Sequence, residues 1–247
     1  MIRESMNRFR TTRWSVVLAA GDGDERTARA ALEELCRIYW WPIYAFVRRN
    51  GHDAEAAADL TQSYFLSLLE RRDLERMDPE RGRFRSFLLV ALRNFLAKQR
   101  ERAHTLKRGR GQAPLSLDVD LEDAEARYVR EPAGGATPEE EFERRWALTL
   151  LDRVLRTLRA EAEAAGAGER FELLAPHLTG HGKGVAYRQI GARLGISESA
   201  VKVAVHRLRR RFGELLRAEV AETVADERGI EGEIRALLAA VAGGGGG

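Results

Sequence analysis

The chain has 247 residues, of which 44% are apolar and 32% charged, with a formal net charge of only +3. That apolar content can bury one or two small cores, and no apolar run approaches the roughly 20 residues of a membrane span, so no membrane insertion is expected. A single cysteine, Cys36, excludes an internal disulfide and is expected to be a buried thiol, and five scattered histidines offer no zinc-ligand spacing.

Further absences narrow the class. The opening "MIRESMNRFRTTRW" lacks the apolar segment of a signal peptide, which points to a cytoplasmic protein. There is no glycine-rich phosphate loop, nucleophile elbow or two-histidine helix, and the acids at 139–141 form an unpatterned charge run. No enzymatic activity, cofactor or metal is expected. The distribution of charge says more than its sum. Residues 81–110 hold ten Lys/Arg against one acid (+9), 115–145 hold four against ten (−6), and 183–217 hold nine against two (+7). Two separated basic blocks suit two contacts with nucleic acid, because neutralising phosphates releases counterions.

In chain order, residues 1–27 read as an N-terminal extension, and 28–104 as a helical domain with breaks at "RNGHD" (49–53) and "MDPERGR" (77–83). Within it, "FRSFLLVALRNFLAKQRERA" (84–103) places Phe84, Phe87, Leu88, Ala91 and Phe95 at helical spacing, with Arg83, Arg85, Arg93, Lys98, Arg100 and Arg102 among them. Aromatics at that spacing ordinarily belong to a core. Interleaved with cations and an amide, they also suit a trap for single-stranded DNA, in which charges track the backbone, rings take unstacked bases and Asn94 reads a base edge. Residues 105–138 carry prolines near glycines, reverse the charge and show little period, so they read as a flexible acidic linker.

Helical patterning resumes across 139–217 and ends in "YRQIGARLGISESAVKVAVHRLRRRF". Ile190 and Leu194 repeat at i,i+4, Gly195 and Ile196 make a turn, and Ser197 is a good N-cap for a helix of about four turns. Val201, Val205, Leu208 and Phe212 share one stripe of that helix, and Ser199, Lys202, Val203, His206 and Arg210 the opposite one. One face packs and the other is displayed, as in a helix-turn-helix whose second helix reads DNA. Residues 218–247 form a C-terminal extension, with an amphipathic stripe of Ile230, Ile234, Leu237, Leu238 and Val241 before a glycine tail.

Together these stretches resemble the extracytoplasmic-function (ECF) group of bacterial sigma-70-family RNA polymerase sigma factors. "DLTQSYFLSLL" (59–69) is similar to that group's polymerase-binding helix, 84–102 to its −10 helix pair, and 187–212 to its −35-reading helix-turn-helix; the likeness covers about residues 28–216. It implies an all-α fold of two small helical domains joined by a flexible linker, the first for core polymerase and the −10 element and the second for the −35 element. It also implies a factor that brings core RNA polymerase to promoter DNA and helps to melt it. The resemblance assigns polymerase contacts to Asp59, Gln62 and Phe65, −10 contacts to Phe87, Asn94 and Lys98, and −35 contacts to Ser199, Lys202, Val203, His206 and Arg207. Arg210, on the displayed stripe, is expected to contact phosphate.

The chain departs from the family where Ala58 and Ser63 replace common acids and Thr61 an apolar residue. Phosphorylation of Thr61 or Ser63 would restore negative charge there, so a Ser/Thr kinase stands beside an anti-sigma factor as a candidate regulator. The alternative reading is an ordinary helix-turn-helix repressor or activator with a sensing or dimerising N-terminal domain. Such a protein has no use for ten cations in 81–110.

Overall fold

A computed structural model describes residues 38–70, 84–105, 121–130, 136–178, 185–224 and 227–243. The N-terminal extension, Cys36, Arg83 and residues 244–247 of the glycine tail lie outside the described residues. Among the described residues the chain is all-α, with nine α-helices and no strand. They are α1 (38–49), α2 (Ala54–Glu70), α3 (Phe84–Thr105), α4 (Leu121–Arg130), α5 (Pro138–Ala164), α6 (Gly168–Leu174), α7 (Tyr187–Leu194), α8 (Glu198–Ala221) and α9 (Ile230–Ala242).

Local chemistry sets several of the boundaries. Gly51 (φ 90°) turns the chain after α1, and the Asp53 carboxylate accepts the Ala56 amide at 2.8 Å, capping α2. At α5, Thr137 and Glu140 form a reciprocal capping box. The Glu140 amide donates to Thr137 Oγ1 at 3.2 Å and the Thr137 amide to Glu140 Oε2 at 2.8 Å, with Pro138 in the first turn.

The chain forms two compact units. One comprises the chain up to Leu148 together with the chain from Ala221 onward; the other is Thr149–Val220. The boundary therefore falls inside α5, whereas the sequence places it in 105–138. Phe142 and Trp146 on the first turns of α5 explain this, since both are fully buried in the first unit. Phe142 meets the Phe46 ring edge-on at 6.5 Å, and the Trp146 indole N–H donates to the Tyr39 hydroxyl at 3.1 Å.

In the first unit, α1 is buried along most of its length, including Ile38, Tyr39, Ile43, Tyr44 and Val47. Leu88, Leu92 and Leu96 repeat at i,i+4 along the inner face of α3, and the Tyr64 hydroxyl of α2 donates to the Leu88 carbonyl at 2.7 Å. Two differences from the sequence reading stand out here. Part of the expected linker, 121–130, is helical. The stripe of α9 is also rotated: Ile230, Glu233 and Leu237 are buried, while Leu238 is 51% exposed. The rotation has an electrostatic cause. Glu233 meets the buried Arg85 of α3 at 2.8 Å, Arg85 pairs also with Glu143, and its guanidinium lies 4.5 Å over the Trp146 ring.

In the second unit, Leu174, Ile190, Val201, Ala204 and Val205 form a core, with Leu173, Tyr187, Leu194, Ile196 and Leu208 packed against it. α8 runs through Gly213 to Ala221, longer than the four turns expected. An isolated helical glycine costs about 1 kcal/mol relative to alanine, which the length of packed helix on either side offsets.

Candidate nucleic-acid interfaces

In the first unit, α3 buries its leucine face and turns Asn94 and Lys98 outward, four residues apart, with the half-buried Phe87 two turns before Asn94 on the same side. An amide, an ammonium and a ring edge thus share one stripe, the set of groups that takes a base and its phosphate. Not every cation of the block joins them. Arg85 is only 4% exposed and is committed to Glu233 and Glu143, so it is removed from the strand-tracking set. Arg93 is exposed with Glu139 at 3.5 Å, and Arg100 reaches the Asn50 carbonyl at 3.5 Å. Both are exposed surface contacts of small energetic weight.

On α2, Asp59 and Ser63 are exposed and Gln62 is half-buried on the adjoining row. Phe65 is buried and packs at 5.7 Å from the Tyr64 ring, so it supports that surface from beneath and does not form part of it. Thr61 is likewise buried, and its hydroxyl donates to the Ala57 carbonyl one turn back at 2.7 Å. A kinase cannot reach it in this fold, which corrects the expectation of phosphorylation at Thr61 and leaves Ser63 as the accessible hydroxyl.

The second unit positions α8 through a tight turn. Gly195 closes α7 in the left-handed conformation (φ 66°), with its amide bonded to the Gly191 carbonyl. The Ile196 amide donates to the same carbonyl at 2.9 Å, and a Cβ on Gly191 would stand 2.6 Å from the Ile196 carbonyl oxygen. α8 then begins on Ser197, whose Oγ accepts the Ala200 amide at 3.2 Å. Val201 and Val205 face inward. Ser199, Lys202, Val203, His206, Arg207 and Arg210 are all exposed, so every residue assigned to the displayed face lies on the surface.

The electrostatics of that face are organised from its first turn. Glu198 holds Lys202 at 2.9 Å, and their hydrogen bond pushes the ammonium above its ordinary range and the carboxyl below its own. The arginine run divides by direction. Arg209 donates twice to the His177 carbonyl, at 2.7 and 3.1 Å, and Arg211 grips Glu161 at 2.6 and 3.0 Å. These two hold the unit together, while Arg207 and Arg210 stay on the displayed side.

Sequence reasoning missed α4 and what it touches. Glu125 lies in the fork of Arg48, with Nη2 at 2.6 Å and Nε at 3.1 Å, and accepts the Tyr44 hydroxyl at 2.6 Å. The hydrogen bond from Arg48 chiefly, and that from Tyr44, hold the Glu125 carboxyl below its ordinary range. Leu121, Ala124 and Tyr128, spaced i, i+3 and i+7, were the signal of a helix in "LEDAEARYVR".

These features define a class: among the described residues, an all-helical protein with two units, each carrying a helix that exposes a basic and polar stripe. Residues 42–105, covering most of α1 and all of α2 and α3, match the family described as Sigma-70 region 2. The match spans about a quarter of the chain and includes the helix bearing Phe87, Asn94 and Lys98. No curated protein and no solved structure matches the chain. Among the described residues, no helix is long and apolar enough to cross a membrane.

Proposed function

We propose that this protein is a sigma factor of the extracytoplasmic-function group, which binds core RNA polymerase, directs it to promoters and helps to open the DNA. The carrying observation is the Sigma-70 region 2 match over 42–105, joined to a second unit whose turn displays one polar face of α8. In this reading α2 offers Asp59 and Gln62 to the polymerase, with Phe65 behind them. Phe87, Asn94 and Lys98 take the unpaired −10 strand. α7 and α8 form a helix-turn-helix in which Ser199, Lys202, Val203, His206 and Arg207 face the −35 bases and Arg210 a phosphate.

The protein has no chemistry of its own here and acts in the cytoplasm, where promoters and polymerase are. A kinase acting at Ser63 or an anti-sigma factor would regulate it. The experiment is transcription by purified core polymerase on a promoter fragment library, with and without the chain. Chain-dependent initiation at defined sites is expected. Binding of duplex DNA as a symmetric dimer without polymerase would instead favour a conventional repressor or activator.

A further inference from the structure

Ten residues is too short for a helix to persist by itself, so α4 depends on what it docks against. It buries little apolar surface: Ala124 is covered, but Val129 is 71% exposed. Its grip on α1 is chiefly polar and aromatic. Glu125 fills the Arg48 fork, as described, and the Tyr128 ring lies under the guanidinium groups of Arg48 and Arg49, at 4.6 and 5.2 Å, with Arg145 at 5.8 Å. Arg127 adds a contact over the Trp41 ring at 4.6 Å. Arg48 is further oriented by its Nη1, which donates to the His52 carbonyl at 2.6 Å.

Seen chemically, a paired set of anionic oxygens sits in an arginine fork, and beside it a flat ring is stacked on guanidinium. One nucleotide of an unpaired strand makes the same two contacts, its phosphate replacing the Glu125 carboxylate and its base the Tyr128 ring. We propose that α4 is an intramolecular stand-in for single-stranded nucleic acid, which closes the Arg48–Arg49 surface of the free chain and is displaced when a DNA strand takes its place. The inference rests on reading the first unit as strand-binding. Its consequence is self-competition: the free chain binds stray single strands more weakly by the fraction of molecules in which α4 is undocked.

The test uses the full chain and a fluorescent oligo-dT, which carries no promoter sequence, so its outcome is separate from that of the transcription assay. Glu125→Ala combined with Tyr128→Ala is expected to bind oligo-dT at least tenfold more tightly than the unmodified chain, and adding Arg48→Ala is expected to abolish the gain. In the unmodified chain, saturating oligo-dT is expected to accelerate hydrogen exchange of the 121–130 amides, a readout that needs no variant to fold. A duplex of equal length is expected to do so far less, since its bases are stacked and cannot replace the ring. Unchanged exchange at 121–130 under saturation would overturn the proposal, as would equal affinity of the double variant. Displacement by duplex as readily as by oligo-dT would overturn the single-strand assignment.

Discussion

Lys202 and His206 stand one turn apart on the displayed face of α8, yet they differ in what constrains them. Lys202 is held by Glu198 at 2.9 Å, so its ammonium is aimed before any DNA arrives, whereas His206 is simply exposed. If both reach base edges, Lys202→Ala and His206→Ala are each expected to lower affinity for the cognate −35 duplex by about 1–3 kcal/mol and to leave scrambled duplex nearly unaffected. Arg210→Ala is expected to weaken both duplexes alike, as a phosphate contact does. Fluorescence anisotropy on the two duplexes separates these outcomes. On α3, Asn94→Ala is expected to leave polymerase binding intact and to reduce permanganate reactivity of −10 thymines, because the contact it removes exists only to an unpaired base.

Individual helices carry their own tests. Gly213 lies inside α8, and a Cβ there meets nothing within 4 Å, so Gly213→Ala is expected to stabilise the second unit by about 0.5–1 kcal/mol. Gly191 is the opposite case. Its missing Cβ leaves room for the Ile196 carbonyl at 2.6 Å, and Gly191→Ala is expected to cost roughly 1–3 kcal/mol because backbone must move. Circular dichroism melts of the two variants check both signs. For α4, the depressed pKa of Glu125 determines a pH window. A carboxyl whose folded pKa lies below its unfolded value contributes docking stability that is complete above the unfolded value, about 4.3, and is lost as pH falls through the lower folded value. Arg48 and Tyr44 are the groups bonded to it, so amide protection at 121–130 is expected to hold at neutral pH and to fall only below about pH 4.

At the scale of the molecule, the second unit is inserted in the chain of the first, which leaves at Leu148 and resumes at Ala221. Within the first unit, the returning α9 is bound through Glu233, only 1% exposed, to Arg85 at the start of the helix that bears Asn94. Breaking a buried pair from one side leaves a charge poorly balanced, so Glu233→Ala is expected to destabilise the first unit by roughly 3 kcal/mol, a low-end cost because Glu143 remains. Trp40, Trp41 and Trp146, the tryptophans among the described residues, are all buried in that unit, so urea unfolding followed by tryptophan fluorescence reports on it. The same readout is expected to be insensitive to Gly191→Ala.

What the sequence determined by itself is what short-range periodicity and capping encode. The two faces of α8 followed from i,i+3 and i,i+4 spacing, and Ser197 marked its N-cap, because helix geometry ties each side chain's direction to its place in the chain. On α3 the stripe read from Phe87, Leu88, Ala91 and Phe95 is turned in the structure, where Leu88, Leu92 and Leu96 are buried and the two phenylalanines and Ala91 only half-buried. Pairings between distant residues were not legible in the sequence. By local pattern Arg85 is one of six strand-tracking cations, but Glu233, 148 residues away, binds it, and Glu125 is a linker charge by pattern, but Arg48, 77 residues away, encloses it. A charged residue's local pattern is the same whether it faces water or a buried counter-ion. Only the tertiary structure decides which, because burial of a charge depends on a partner brought close by the fold and not by the chain.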